Sequence, residues 1–153
     1  MRAAVVLMLM MGVGCSKRPD PPFREQALDA YALHVTLPGD WRGGSIRGAG
    51  FVFASGPADA SLSFYDTLAD VPFSEAGARA FYEVAKAEVL ASGPARFGPF
   101  DGFFASAHPK GDAATTLWFG FFHGPRGLVW MELRAPTRPA SEALWRSVIS
   151  SLR

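Results

Sequence analysis

Between Phe100 and Ala135 the chain carries three strand-length apolar runs, Phe100 to His108, Thr115 to His123 and Leu128 to Ala135. They are separated by Pro109-Lys110-Gly111-Asp112 and Gly124-Pro125-Arg126-Gly127, both strong turn signals, so the spacing predicts an antiparallel meander. Centring the turns on Lys110-Gly111 and Pro125-Arg126 puts Trp118 opposite Phe103 and Leu133, and Phe121 opposite Phe100 and Trp130. One face then carries Phe103, Trp118, Phe122, Val129, Met131 and Leu133. The other carries Phe100, Phe104, Leu117, Phe119, Phe121 and Trp130, with Glu132 and Arg134 nearby. A sheet with one solvated face would alternate apolar and polar residues, so a sheet apolar on both faces has to be covered on both sides.

Two helices are available as cover. The first is expected from about Ser74 to Ser92, capped by Ser74 and stopped by Gly93-Pro94, with Ala78, Phe81, Tyr82, Ala85 and Val89 as its apolar stripe. The second is expected from about Ser141 to Leu152, with Leu144, Trp145, Val148, Ile149 and Leu152 on one side. Upstream, Tyr31 to Leu37 alternates as a half-buried strand does, and Phe51 to Ala54 and Ala60 to Tyr65 read as a hairpin joined by Ser55-Gly56-Pro57. The fold class expected is α+β: an antiparallel sheet of about six strands packed between helices in an α/β/α sandwich. At 153 residues, 49% hydrophobic and 19% charged, the chain has apolar material for the core of one domain, assigned to residues 23–153.

The start of the chain has a different character. Met1 to Gly14 holds one charge, Arg2, followed by the apolar run Ala3 to Val13. Such a run is too short to span a bilayer, which takes about 20 residues, and its charged start and small-residue end match an export signal peptide. Gly12-Val13-Gly14-Cys15 resembles a bacterial lipoprotein cleavage site, which implies lipid attachment at Cys15. That cysteine is the only one in the chain, so no internal disulfide can form and the domain must hold by packing. Ser16 to Pro22 contains three prolines among polar residues and reads as an extended tether. Ser16 rather than Asp after the cysteine points, by the same resemblance, to the outer membrane.

Charge narrows the partners. The 15 Lys and Arg face 14 Asp and Glu, and loss of the leader with Arg2 leaves 14 of each. A neutral domain has no electrostatic footprint for nucleic acid and no polybasic membrane patch. The glycine-rich Arg42 to Gly50 lacks the Lys-Ser or Lys-Thr and the following helix that a phosphate loop needs, and is read as a flexible turn. Neither Gly-x-Ser-x-Gly nor His-Glu-x-x-His is present. His108 and His123 are expected at opposite ends of a hairpin, roughly 30 Å apart at strand rise, too far to share a metal. His34 is expected as a surface or hydrogen-bonded residue, and Asp66, Asp70 and Glu75 as turn and helix-start groups. No metal, cofactor or catalytic role is expected.

The order of elements carries a further signal: a strand ending in Leu37-Pro38-Gly39-Asp40-Trp41, a hairpin, a long helix, a three-strand meander, and a closing helix ending in Ile149-Ser150-Ser151-Leu152. This order resembles the PsbP/Mog1-like superfamily and, within it, small bacterial lipoproteins of the DcrB or DUF1795 kind. The resemblance covers Tyr31 to Arg153. It implies an antiparallel sheet between helices and mostly non-enzymatic work, as photosystem accessory subunits, a small-GTPase partner, chaperones for secreted toxins, or envelope lipoproteins.

The functional expectation is a lipid-anchored envelope protein, held through Cys15 at the outer membrane facing the periplasm, that serves as a non-catalytic binding or accessory module for a protein partner. The alternative is a carrier or chaperone for a hydrophobic peptide or lipid-like ligand. Its candidate cleft is formed by Phe100, Phe104, Phe119, Phe121 and Trp130 and rimmed by Glu132 and Arg134. The favoured reading of the same aromatics is core beneath a helix, since large aromatic side chains are usually buried.

Overall fold

Alternation in Leu33, Val35 and Leu37 produces the first element pair. In the computed structural model, β1 (Phe23–Leu28) pairs antiparallel with β2 (Leu33–Pro38) through a short 3-10 turn at Asp29–Tyr31. The described residues are 22–46, 50–54, 60–65 and 71–153. The leader, Cys15 and the tether up to residue 21, the Ser55-Gly56-Pro57 turn, and Asp66 and Asp70 lie outside them. All three apolar residues of β2, with Tyr31, Leu28 and Trp41, enter the core.

Seven strands form the main sheet: β3 (Arg42–Ile46), β4 (Gly50–Ala54), β5 (Ser61–Tyr65), β6 (Glu88–Phe97), β7 (Phe100–His108), β8 (Thr115–Gly124) and β9 (Gly127–Pro136). Their spatial order is β3-β4-β5-β9-β8-β7-β6, antiparallel throughout. Two meanders, β3–β5 and β6–β9, are therefore stitched together where β5 pairs β9. Helix α1 (Glu75–Val84) covers one face, while α2 (Pro139–Ser151) and the β1–β2 ribbon cover the other. The α/β/α sandwich is present, with nine described strands in place of about six.

Three strands account for the excess. β1 lies upstream of the first strand expected. Arg42 to Ile46, expected as a flexible turn, is an edge strand, and an edge tolerates glycine because only one side must be paired. β6 takes up the last part of the expected first helix, Glu88 to Ser92, together with its expected Gly93-Pro94 stop, because α1 ends at Val84. Lys86 turns left-handed there with φ 56°. Its N–H bonds the carbonyl of Glu83 at 3.0 Å and the N–H of Ala87 bonds that of Tyr82 at 3.0 Å. This is a Schellman cap with lysine where glycine usually sits, so the customary stop signal is absent from the sequence. The residues beyond it gain nine pairs with β7, and that tertiary pairing outweighs their helical propensity.

Register decides which face each aromatic occupies. β8 and β9 pair as expected, with Trp118 opposite Leu133 and Phe121 opposite Trp130. β7 and β8 do not: Trp118 faces Ser106 and Phe121 faces Phe103. The reversal is centred on Asp112, whose N–H bonds the Pro109 carbonyl at 3.0 Å and whose Oδ1 accepts from the N–H of Ala114 at 3.1 Å and of Thr115 at 3.2 Å. This second, side-chain turn lengthens the loop and slides β7 by three residues. An odd slip exchanges faces. Phe103 therefore faces α1, whereas Phe100 and Phe104 face α2.

Candidate functional site

The seven residues expected on one face are divided by that slip. Under α1, Phe119, Phe121 and Trp130 are buried, Trp130 at 1% exposure. Phe81 of α1 stacks on Phe119 with centroids 4.2 Å apart, and Phe121 stacks on Trp130 at 4.1 Å. Phe73, just before α1, sets its ring edge-on to Phe103, Phe121 and His123. The helix is anchored at its start by Ser74, whose Oγ accepts from the N–H of Gly77 at 3.1 Å. Phe119, Phe121 and Trp130 are therefore core and not the walls of the candidate cleft, while Phe73 and the half-buried Phe103 border a smaller opening of about 490 Å³ beside Pro94 and Gly102.

Glu132 and Arg134 lie on the same face of β9 as Trp130. Glu132 is half-buried and accepts a hydrogen bond on Oε2 from Tyr82 Oη at 3.0 Å. Burial raises its pKa above the usual carboxylate range, opposed by the Tyr82 bond and by the Arg134 charge. Burial, reinforced by the Glu132 charge, in turn holds the Tyr82 phenol well above its ordinary value and raises that of Tyr65. Arg134 is exposed. The carboxylate thus serves as an internal hydrogen-bond acceptor, with its phenol partner supplied by the helix.

Space is left on the opposite face for a geometric reason. Seven strands at about 4.8 Å make a sheet about 29 Å wide, which a helix about 10 Å across cannot cover alone. The ribbon fills one flank of α2. It is tied to the end of the chain by reciprocal bonds between His34 and Arg153, N–H to carbonyl at 2.9 and 3.2 Å, and by the Thr36 N–H bonding Ser151 Oγ at 2.9 Å. The other flank, over β6, β7 and β8, remains open as a groove of about 730 Å³.

Small side chains leave the space on the sheet side of the groove: Ala91 and Ala95 of β6, Ser106 of β7 and Thr116 of β8 lie along it. Phe104, Trp118, Trp145 and Ile149 supply its apolar walls. The pairing of β6 with β7 slips between Val89 and Ala91, and this bulge lets consecutive residues Leu90 and Ala91 both line the opening. Leu90 is 47% exposed. The mouth is polar. Arg146 bonds Glu142 Oε1 through Nη2 at 2.7 Å and Nε at 3.2 Å, while the Arg138 carbonyl accepts from the Ser141 N–H at 3.0 Å and its guanidinium has no ion-pair or hydrogen-bond partner among the described residues. His108 points Nδ1 at the Thr115 carbonyl, 2.7 Å away, and since a carbonyl only accepts, Nδ1 carries the proton.

Of the expected cleft residues, only Phe104 lines this groove. Phe100 packs on Phe122 at 5.5 Å nearer the C-terminal end of α2. Trp118 and Trp145 carry no signal in the sequence that separates them from ordinary core residues, and Leu90 falls within the stretch expected as helix. His108 and His123 do fall at opposite ends of the β7–β8 hairpin, and His34 is an exposed residue bonded to Glu25 Oε1 at 2.6 Å. Glu75, at the start of α1, accepts from Ser92 Oγ at 2.7 Å. Among the described residues no group of His, Cys, Asp and Glu could hold a metal ion, and no helix is long and apolar enough to cross a membrane.

No family model and no curated protein matches the chain. Solved structures do match it in shape. The solution structure of cyanobacterial PsbP (CyanoP) from Synechocystis sp. PCC 6803 superposes with a TM-score of 0.68 at 13% identity, covering 94% of this chain and 98% of that one. A point mutant of the protein Mog1 superposes with a TM-score of 0.53 at 12% identity, covering 86% of this chain and 95% of that one. The chain has the PsbP/Mog1-like fold.

Proposed function

We propose that the protein is a lipid-anchored envelope lipoprotein of the DcrB or DUF1795 kind that works as a non-catalytic binding module, with the groove beside α2 as its binding surface. The observation that carries this reading is the groove itself: an apolar trough of about 730 Å³ on the sheet face opposite the buried Phe119, Phe121 and Trp130. Its volume lies within the range of small-ligand sites, and its walls are the aromatic residues that such sites favour. The short leader and Cys15 support anchoring through attached acyl chains, two or more of which hold a protein stably where one would not. Ser16 after the cysteine supports delivery to the outer membrane, facing the periplasm. The second reading, a carrier for a hydrophobic peptide or lipid-like ligand, is supported by the apolar lining of the groove at Phe104, Trp118, Trp145 and Ile149.

Two measurements test the proposal. Metabolic labelling with an alkyne fatty acid is expected to mark the wild type and not Cys15→Ser, which also leaves the membrane fraction; unchanged labelling and fractionation refute the anchor. A photo-crosslinking amino acid in place of Ala91, in the full chain on its membrane, is expected to capture a discrete ligand or partner that the same residue in place of exposed Lys110 does not. Equal capture from both positions refutes the groove as the binding surface.

A further inference from the structure

We infer that the groove beside α2 takes a single-chain amphiphile carrying one carboxylate, with its hydrocarbon chain along Phe104, Trp118 and Trp145 and its headgroup at Arg138. The inference rests on the binding-module reading above and names its ligand class.

Charge sets the headgroup. Arg146 and Glu142 neutralise each other across one turn of α2, and among the residues that line the groove the exposed Arg138 is left as the charged side chain without an ion-pair partner, with Glu88 outside the lining on the strand position opposite His108. An arginine fork matches a carboxylate, and one net positive charge suits one negative charge better than a dianion.

Backbone chemistry separates an acyl chain from a peptide. An extended peptide in the groove would need partners for its own N–H and C=O groups, most simply from the free edge of β6. That edge is blunted: Pro94 has no N–H, and the irregularity between Val89 and Ala91 breaks the repeat of the ladder. Thr116, one of the polar groups inside the groove, is already engaged with Thr137, Oγ1 to Oγ1 at 2.8 Å. An acyl chain brings no polar groups to satisfy. The trough follows α2 from Pro139 to Ile149, about 15 Å at helical rise, which gives a flexible chain an elongated bed.

The test uses the full chain in phosphatidylcholine nanodiscs, irradiated with a diazirine analogue of dodecanoate or of dodecanol, with the label mapped by mass spectrometry. Dodecanoate is expected to label the peptides holding Phe104, Trp118 and Trp145. Arg138→Gln is expected to reduce that labelling about tenfold, the scale of one charge-assisted hydrogen bond, and to leave dodecanol labelling unchanged. Ala91→Trp, which fills the trough from an edge strand, is expected to abolish labelling by both. Leu90→Asp, at an exposed position, gives a second block that selectively repels the carboxylate, and thermal melts check that each variant folds. Equal loss of both probes in Arg138→Gln, no loss of either, or groove labelling that survives both blocks overturns the inference. If neither probe labels the groove while a neutral hydrophobic peptide probe does, the carboxylate ligand falls and the binding-module reading stands. If the Ala91 crosslinker captures nothing specific and no probe enters the groove, both fall.

Discussion

Tyr82 of α1 donates a hydrogen bond to the half-buried Glu132 carboxylate of β9 across 3.0 Å, linking the covering helix to the middle of the sheet through one polar pair. A carboxylate removed from water keeps its proton more readily, and this one is held above its ordinary range by burial. The phenol can satisfy one lone pair, while the neutralising guanidinium of Arg134 stays in solvent. The pair therefore positions α1 and leaves stability coupled to pH.

The raised Glu132 pKa means that the folded state binds this proton more tightly than the unfolded state does. Its favourable contribution is greatest below the unfolded value, near pH 4, and declines as pH rises through the interval up to the raised folded value. Glu132→Gln keeps an acceptor for Tyr82 and removes the charge. Thermal melts should show the variant at least as stable as the wild type at pH 7, with its advantage shrinking on acidification. A deficit at pH 7 that does not vary with pH would refute this assignment.

Trp130→Ala is expected to cost about 3 to 5 kcal/mol, because it opens a cavity beneath α1 and removes the stack on Phe121. Urea unfolding measures the loss. Crosslinking from position 91 should be unaffected under conditions where the variant stays folded, since Trp130 faces away from the groove. Altered capture with little loss of stability would return Trp130 to the binding site.

Gly98 sits in the β6–β7 turn with φ 60°, and its N–H bonds the Ile149 carbonyl at 2.6 Å. A Cβ at this position would run into the Leu152 carbonyl. Gly98→Ala therefore combines backbone strain with displacement of the end of α2, and about 1 to 3 kcal/mol of stability should be lost in denaturant titrations. A variant of wild-type stability would mean that the α2 terminus yields without cost.

Lys86→Gly is expected to act in the opposite direction. The lysine occupies the left-handed position that closes α1, where glycine carries no Cβ penalty, so a gain of about 1 kcal/mol is expected. Calorimetry would detect it as a higher Tm. A lower Tm would show that the lysine makes a compensating contribution in the folded state.

The amino-acid pattern alone determined the meander, the two covering helices, the Ser74 cap and the β8–β9 register, because each depends on short-range signals: period, turn residues and a hairpin of known length. It also contained the need for cover on both faces, since aromatics occur at odd and even positions of the same strands. Tertiary structure decided what local pattern leaves degenerate. The three-residue slip of β7 arises from an Asp112 side-chain turn that composition does not distinguish from a simpler reversal, and an odd slip sends Phe104 and Phe119 to opposite faces. The end of α1 at a left-handed Lys86 was hidden because no glycine marks it, and residues 88–97 became a strand only because β7 offered an edge. The groove was least legible of all. It exists because one helix and a ribbon are narrower than seven strands, a comparison of widths that has no meaning until the sheet is assembled.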